Sequence, residues 1–460
     1  MTQLALLAHK DLDAPIAYRR GRPISVRRFL ADARALAQAL PTTDHVINAC
    51  ADRYRFAVGF AACLISGRIS LLPPSHMASL LEQLQAFAAD AVVLADTKHR
   101  DLRLPIFPFP NLGEAIAADK DAHIEIPEIP AEQLATWVFT SGSTGRPQAH
   151  RKHWGLLRKN VANEARALGF TREDPVTLVG TVPPQHMYGF ESTLLLAWLS
   201  GGSFDASRPF YPADIAETLT QCPANSMLVT TPFHLEKLLE ANLRLPKIGS
   251  LLCATAPLSA GLARRAEAAF RAPLFEIYGS TETGQLATRR TSRKTAWTLF
   301  PEVRLQARDG QIWAEGGHVE GAVPLGDLVE QLDECRFRLK GRNTDRVNIA
   351  GKRTSLAWLN QQLLALPGVK DGCFYVPEQT EQTGESSVIR LTAFVVAPGL
   401  SAEHLMAALR QRIEPLFLPR PLILLDDLPR NAVGKLLRVE CEALLAQHER
   451  DRDKGHGRLP

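Results

Sequence analysis

Apolar and polar positions follow two periods along this chain. Phe29, Ala33, Leu36 and Leu40 recur at the spacing of an amphipathic helix, whereas 45–49, 69–73 and 91–95 are short continuous apolar runs that predict buried strands. The pattern resumes further on. The segments 175–182, 227–232, 251–257 and 274–280 each pass from apolar residues into small, polar, Pro or Gly residues. Buried strands alternating with amphipathic helices imply a largely parallel sheet covered on both faces. Ligands gather at the carboxyl ends of such strands, so 140–147, 183–189, 254–257 and 278–285 are expected to converge. From 291 to 340 the sequence turns more polar and basic, with a β-meander around Q-I-W-A-E and R-F-R-L-K. A compact terminal module follows, with strands in G-C-F-Y-V, I-R-L-T-A-F-V-V and L-I-L-L. Its clearest helix starts at Ser401 and carries Leu405, Leu409 and Ile413 on one face. The charged tail R-D-R-D-K-G-H-G-R-L-P is expected to fray.

Length and composition narrow the class. At 460 residues the chain exceeds one ordinary core and implies two or three domains. With 45% hydrophobic and 22% charged residues it reads as a soluble globular protein. A formal charge of +4, with basic and acidic residues interspersed, gives no case for nucleic acid. Seven scattered cysteines without C-x-x-C spacing argue against a disulfide framework or zinc site and for a reducing compartment. The start M-T-Q-L-A-L-L-A-H-K-D-L-D lacks a signal-peptide pattern, and the apolar run 56–67, flanked by Arg53 and Arg68, is too short for a transmembrane segment. A cytoplasmic location is expected.

The chemistry centres on V-F-T-S-G-S-T-G-R-P-Q. An apolar run ends in Thr140, Ser141, Gly142, Ser143, Thr144 and Gly145, so a strand feeds a loop of glycines and hydroxyls. Successive N–H groups in such a loop form a concave nest for phosphate oxygens; the same composition also reads as a plain surface loop. Tyr278, Gly279, Ser280, Thr281 and Glu282 form the second stretch. The aromatic could stack on a flat ring, Thr281 could bond a phosphate, and Glu282 could hold Mg²⁺, which favours one or two carboxylates plus substrate phosphates. The plain alternative is a βα turn with Ser280 or Thr281 as helix cap. Asp327 in G-D-L and Arg342 in G-R-N-T-D suit ribose hydroxyls, and Lys435 closes the series in N-A-V-G-K.

The order T-S-G-S-T-G-x-P, P-P-x-H-x-x-G, A-P-L-S, Y-G-S-T-E, G-D-L, G-R-x-x-D and N-A-V-G-K resembles the adenylate-forming superfamily of acyl-CoA synthetases, adenylation domains and luciferases. The resemblance spans about residues 15 to 440. It implies an α/β fold with a large N-terminal domain of parallel-rich sheets and helices, 1–342, and a small C-terminal α+β lid domain, 343–460, that rotates about a hinge. It implies ATP and Mg²⁺ as cofactors, an acyl-adenylate intermediate, and transfer to the phosphopantetheine thiol of an acyl carrier protein or coenzyme A. By resemblance the loop from Thr140 to Gly145 wraps the pyrophosphate end of ATP. Ala254, Thr255, Ala256 and Tyr278 sandwich the adenine, and Gly279 and Ser280 line the nucleotide. Thr281 bonds the α-phosphate, Glu282 holds the metal, and Asp327 and Arg342 hold the ribose. Lys435 reaches the carboxylate and the bridge to the α-phosphate; in-line attack adds charge between existing anions, so positioning and cations carry the reaction.

Three positions depart from the pattern. Gln148 replaces the loop lysine, which shifts weight to Arg146, Lys152 or Mg²⁺; Thr344 stands at the hinge; the stretch between Glu282 and Asp327 is short. They leave room for a non-catalytic binding relative, but Lys435 and Glu282 favour an enzyme. His186 stands where amino-acid-activating relatives place an aspartate, so an α-amino acid is disfavoured. Tyr188, Gly189 and Phe190, with Met187, favour a flat or apolar acid. The expectation is a small aromatic carboxylic acid such as a hydroxybenzoate, with a fatty acid as alternative. Arg410, Arg412 and Arg420 tilt the acceptor toward an acidic carrier protein.

Overall fold

The computed structural model describes residues 2–73, 78–97, 102–112, 124–141, 147–342, 346–349, 352–377, 390–431, 434 and 436–456. The chain divides into two compact units. The larger comprises 1–307, 313–323 and 333–336, and the smaller 308–312, 324–332 and 337–460. The architecture is α/β, as the alternating pattern implies.

In the larger unit a six-stranded sheet is built on parallel neighbours. Ile69–Leu72 and Val92–Ala95 flank His45–Asn48, and Leu134–Ser141 lies beyond Ile69–Leu72. Pro147–His153 returns antiparallel beside Leu134–Ser141, pairing Gln148 with Thr140 and His150 with Val138. These strands have apolar runs because both faces are covered. Ile47, Leu71, Val93 and Phe139 pack with Leu81 and Leu84 of the helix Ala78–Phe87.

A second sheet supplies the parallel run Ser203–Asp205, Thr177–Gly180, Ser226–Thr230, Ser250–Cys253 and Leu274–Ser280. Its core joins Val179, Leu228, Leu251 and Leu274 to Leu235 and Phe270 of the covering helices. Caps start the helices where the sequence changes period: Ser25 accepts from Arg28 N–H and Asp52 from Arg55 N–H.

The smaller unit holds a hairpin in which Asp327 is the register partner of Arg342. It also holds the sheet Asp371–Tyr375, Thr392–Val396 and Leu422–Leu424. Ser401 caps the helix Ala402–Arg410, as the sequence indicates, with Leu405 and Leu409 buried. One sequence expectation is corrected and one alternative is ruled out. The tail does not fray at Arg450: the helix Arg438–His456 continues through it, with Gln447 bonding Asp451 one turn on. The turn after Tyr278 leads into a strand, not a helix, as described next.

Candidate active site

The Thr-Glu motif is a hairpin. Leu274–Ser280 turns at 281–283 and returns antiparallel as Gly284–Arg289. Ser280 N–H donates to Thr283 Oγ1 at 3.1 Å and Thr283 N–H to Ser280 Oγ at 3.2 Å, so the two hydroxyl residues close the turn themselves. Gly279 is required: a Cβ there would lie 2.3 Å from the Gly284 carbonyl oxygen. The result presents Glu282 beside the face of Pro147–His153 that carries Gln148, His150 and Lys152. Lys152 Nζ donates to the Glu282 carbonyl at 3.2 Å. His150 Nε2 lies 3.0 Å from Thr140 Oγ1 and 3.8 Å from Glu282 Oε1.

Burial works against ionised Glu282. Backbone and Ser280 hydrogen bonds and the charges of His150 and Lys152 outweigh it and hold the carboxyl below the ordinary range. Burial lowers His150 and Lys152, with nearby carboxylates opposing. Among the described residues no cluster of three His, Cys, Asp or Glu could hold a metal by itself. One ionised carboxylate fits Mg²⁺ bound chiefly by substrate phosphates.

These residues border a cleft of about 470 Å³, lined also by Trp137, Leu157, Asn160, Met187, Glu191 and His318. That volume suits a small ligand. The segment from Pro183 to His186 leads to Met187 in the cleft lining without lining it, and it follows a strand end held by a buried arginine. The buried Arg53 guanidinium donates to the carbonyls of Gly180 at 2.7 Å and Val182 at 3.0 Å, and to those of Asp205 and Ser207. His186 begins the short helix Met187–Gly189, and Phe190–Leu195 continues as a π-helix, a wide turn that is frequent at functional sites. Gly189 has no substitute here, since a Cβ would lie 2.3 Å from the Pro183 carbonyl oxygen.

Tyr188 Oη donates toward the carbonyls of Leu252 at 3.0 Å and Thr230 at 3.2 Å, tying this helix to two strand ends. Phe190 is fully buried against Phe60, ring centroids 4.8 Å apart, and belongs to the core rather than the cleft wall. Ala254, Thr255 and Ala256 follow the strand Ser250–Cys253. Thr255 has φ +81°, a costly conformation for a β-branched residue. Tyr278 packs at 5.6 Å from Trp297. Among the residues named from sequence, Gly142, Ser143, Thr144, Gly145, Thr344 and Lys435 lie outside the described residues, as do the side chains of Ser141 and Arg342.

The floor of the cleft went unread in the sequence. Glu191 is 2% exposed, and burial pushes its carboxyl up to about 8, with Lys152 opposing and Glu164 adding to the rise. Glu164, fully buried behind it, is pushed up to about 7 by burial. Asn160 Nδ2 donates to Glu191 Oε1. A signal was available: Glu191 is the one charge in G-F-E-S-T-L-L-L-A-W-L.

The chain belongs to the AMP-binding enzyme family, whose model matches residues 6–311, a span that contains the strand pair Leu134–His153 and the Thr-Glu hairpin. It is 30% identical over 283 residues to a 4-coumarate–CoA ligase of Rhodobacter capsulatus, covering 61% of this chain and 68% of that one. A 4-coumarate–CoA ligase of Halorhodospira halophila is 29% identical over 371 residues, covering 77% and 88%. The fold is that of the o-succinylbenzoate CoA synthetase MenE of Bacillus subtilis. With its acyl-adenylate intermediate, MenE matches at TM-score 0.80 and 20% identity, covering 96% of this chain and 98% of that one. With ATP and magnesium ion, it matches at TM-score 0.77 and 20% identity, covering 93% and 96%. No helix among the described residues is long and apolar enough to cross a membrane.

Proposed function

We propose that this protein is an ATP-dependent acid–thiol ligase that activates a small aromatic carboxylic acid, such as a hydroxybenzoate. The acid's carboxylate attacks the α-phosphorus of ATP and pyrophosphate leaves. The thiolate of a phosphopantetheine arm then attacks the acyl carbonyl and AMP leaves. The observation that carries the reading is a cleft in which Glu282, its carboxyl held below the ordinary range, stands with Met187, Asn160 and the buried Glu191. A carboxylate in the lining suits metal-bound phosphates, and a volume of about 470 Å³ suits a small acid. Mg²⁺, when bound, would neutralise charge on the phosphates. Thr140 and His150 brace the carboxylate that would hold it.

The roles read from resemblance complete the proposal. Thr281 and the loop 140–145 take phosphates, Ala254, Thr255, Ala256 and Tyr278 the adenine, and Asp327 and Arg342 the ribose. His186 and Tyr188 border the acid, and Lys435 supplies the cation for adenylation from the 343–460 lid. The acceptor is the phosphopantetheine thiol of coenzyme A or of an acyl carrier protein. The relatives' names favour the former, and the exposed Arg410, Arg412 and Arg420 suit the latter.

Acid-dependent ATP–pyrophosphate exchange across aryl, fatty and amino acids tests the reading, with Lys435→Ala alongside. Exchange confined to aryl acids and abolished by Lys435→Ala is expected; exchange only with amino or fatty acids refutes the substrate class. Thioester formation with free coenzyme A against a holo carrier protein decides the acceptor.

A further inference from the structure

We propose that Glu191 selects the acid, its carboxyl hydrogen-bonding a hydroxyl carried on the far side of the substrate's ring, with Glu164 and Asn160 holding it in place. The proposal rests on the aryl-acid reading above and names the feature of the acid that is recognised.

The floor of the cleft leaves some hydrogen bonds unmade. Glu164, Asn160, Glu191 and Gln285 are each no more than 3% exposed. Asn160 Nδ2 is spent on Glu191, and Gln285 Nε2 donates to Ser192 Oγ at 2.9 Å. Asn160 Oδ1, on a side chain that lines the cleft, and Gln285 Oε1 have no hydrogen-bond donor, whereas Glu164 is hydrogen-bonded by Ser192 and Gln285. Both are acceptors. Buried polar groups are otherwise almost always paired, so Asn160 Oδ1 leaves a place at the cleft for a donor from the ligand. Asn160 and Glu191 line the cleft directly. Gly284 keeps the Thr-Glu hairpin close to them: a Cβ there would lie 2.9 Å from Asn160 Nδ2 and 3.3 Å from the His318 ring.

The chemistry of the missing partner follows. A hydrocarbon tail would leave the acceptors unpaired. A second carboxylate would face Glu191 and Glu164 and supply no donor. An ammonium would compete with Lys152, whose charge already acts on Glu191. A neutral hydroxyl donates one proton and accepts one, which suits a carboxyl that itself carries a proton. Met187, Leu157 and Trp137 give the walls against which a flat ring packs.

The experiment compares kcat/KM in pyrophosphate exchange for benzoate, 3-hydroxybenzoate and 4-hydroxybenzoate. It uses the wild-type protein, Glu191→Gln and Glu191→Leu, with KM for ATP and the thermal midpoint measured on each. Sites built to bond a hydroxyl reject the analogue lacking it strongly. The wild type is therefore expected to favour one hydroxybenzoate over benzoate by at least about 100-fold. Glu191→Gln, which keeps volume and hydrogen bonding, should retain most of that ratio. Glu191→Leu should bring it to within about threefold of unity, through KM for the acid and with KM for ATP unchanged. A wild type that uses aryl acids without regard to the hydroxyl overturns the assignment of Glu191 and leaves the aryl-acid reading standing. The hydroxyl preference surviving in a folded Glu191→Leu also overturns it. A wild type that turns over no aryl acid overturns both.

Discussion

Replacing Glu164 with glutamine should change stability at one end of the pH scale only. Glu164 sits on the helix Trp154–Ala167, fully buried, with burial outweighing the hydrogen bonds of Ser192 and Gln285 to its carboxyl. Its pKa rises from 4.5 to about 7, burial being the largest cause. The sign follows from linkage. Below pH 4.5 both native and unfolded chains hold the proton and the site is neutral to stability. Between pH 4.5 and about 7 the unfolded chain has released it while the native protein retains it, so stability falls as pH rises. Each pH unit in that window costs up to about 1.4 kcal/mol, for a total near 3 kcal/mol by pH 8. Glutamine has nearly the same volume and no proton to lose. Urea unfolding followed by tryptophan fluorescence should give wild type and Glu164→Gln similar midpoints at pH 5. At pH 8 the variant should be the more stable by about 2–3 kcal/mol. Glu191 shifts in the same direction, so some slope remains in the variant. Equal displacement of the two proteins at both pH values, or a variant weaker at pH 8 than at pH 5 relative to wild type, would refute the assignment of a neutral buried carboxyl.

Other substitutions test the supports of the cleft. Arg53→Met strips donors from three buried carbonyls and from the more exposed one of Ser207, and at about 1–3 kcal/mol for each buried group left unpaired the unfolding free energy measured in urea should fall by at least about 3 kcal/mol. Gly189→Ala must push the helix start away from Pro183; kcat/KM for the acid should fall at least about tenfold, read by exchange kinetics, while ATP affinity holds. Gly279→Ala strains the hairpin that presents Glu282, and titration of exchange activity with Mg²⁺ should show a raised metal requirement. Lys152→Met removes the cation shared by Glu282 and Glu191; the acid's KM should rise more than that of ATP, measured in the same exchange assay.

How much of this was legible depended on whether the signal was local. The strands and their ends were visible because parallel strands covered on both faces are continuous apolar runs, and Tyr188 does meet the carboxyl ends at Thr230 and Leu252. The cap at Ser401 was equally local. The hairpin at 281–283 was not, because hydroxyls after a strand serve helix caps and tight turns alike, and the choice was made by pairing with Gly284–Arg289. Glu164 and Glu191 lie 27 positions apart on two helices. Each alone reads as a helix-surface glutamate, and the buried pair exists only once the helices pack.

The absent loop lysine shows where sequence comparison and physical placement part. Gln148, His150 and Lys152 alternate onto one face of Pro147–His153, so Lys152 stands two steps along the same face and looks like a relocated phosphate cation. Its surroundings argue otherwise. Nζ is bonded to the Glu282 carbonyl, and the charges that act on it are those of Glu191, Glu282 and Glu320. A lysine that donates to the Glu282 carbonyl and faces the acidic side chains of Glu191, Glu282 and Glu320 is already compensated where it stands. Lys152 therefore belongs to the acid end of the cleft. Under the proposed function, the charge that Gln148 lacks at the phosphate end then falls to Mg²⁺ or to Arg146.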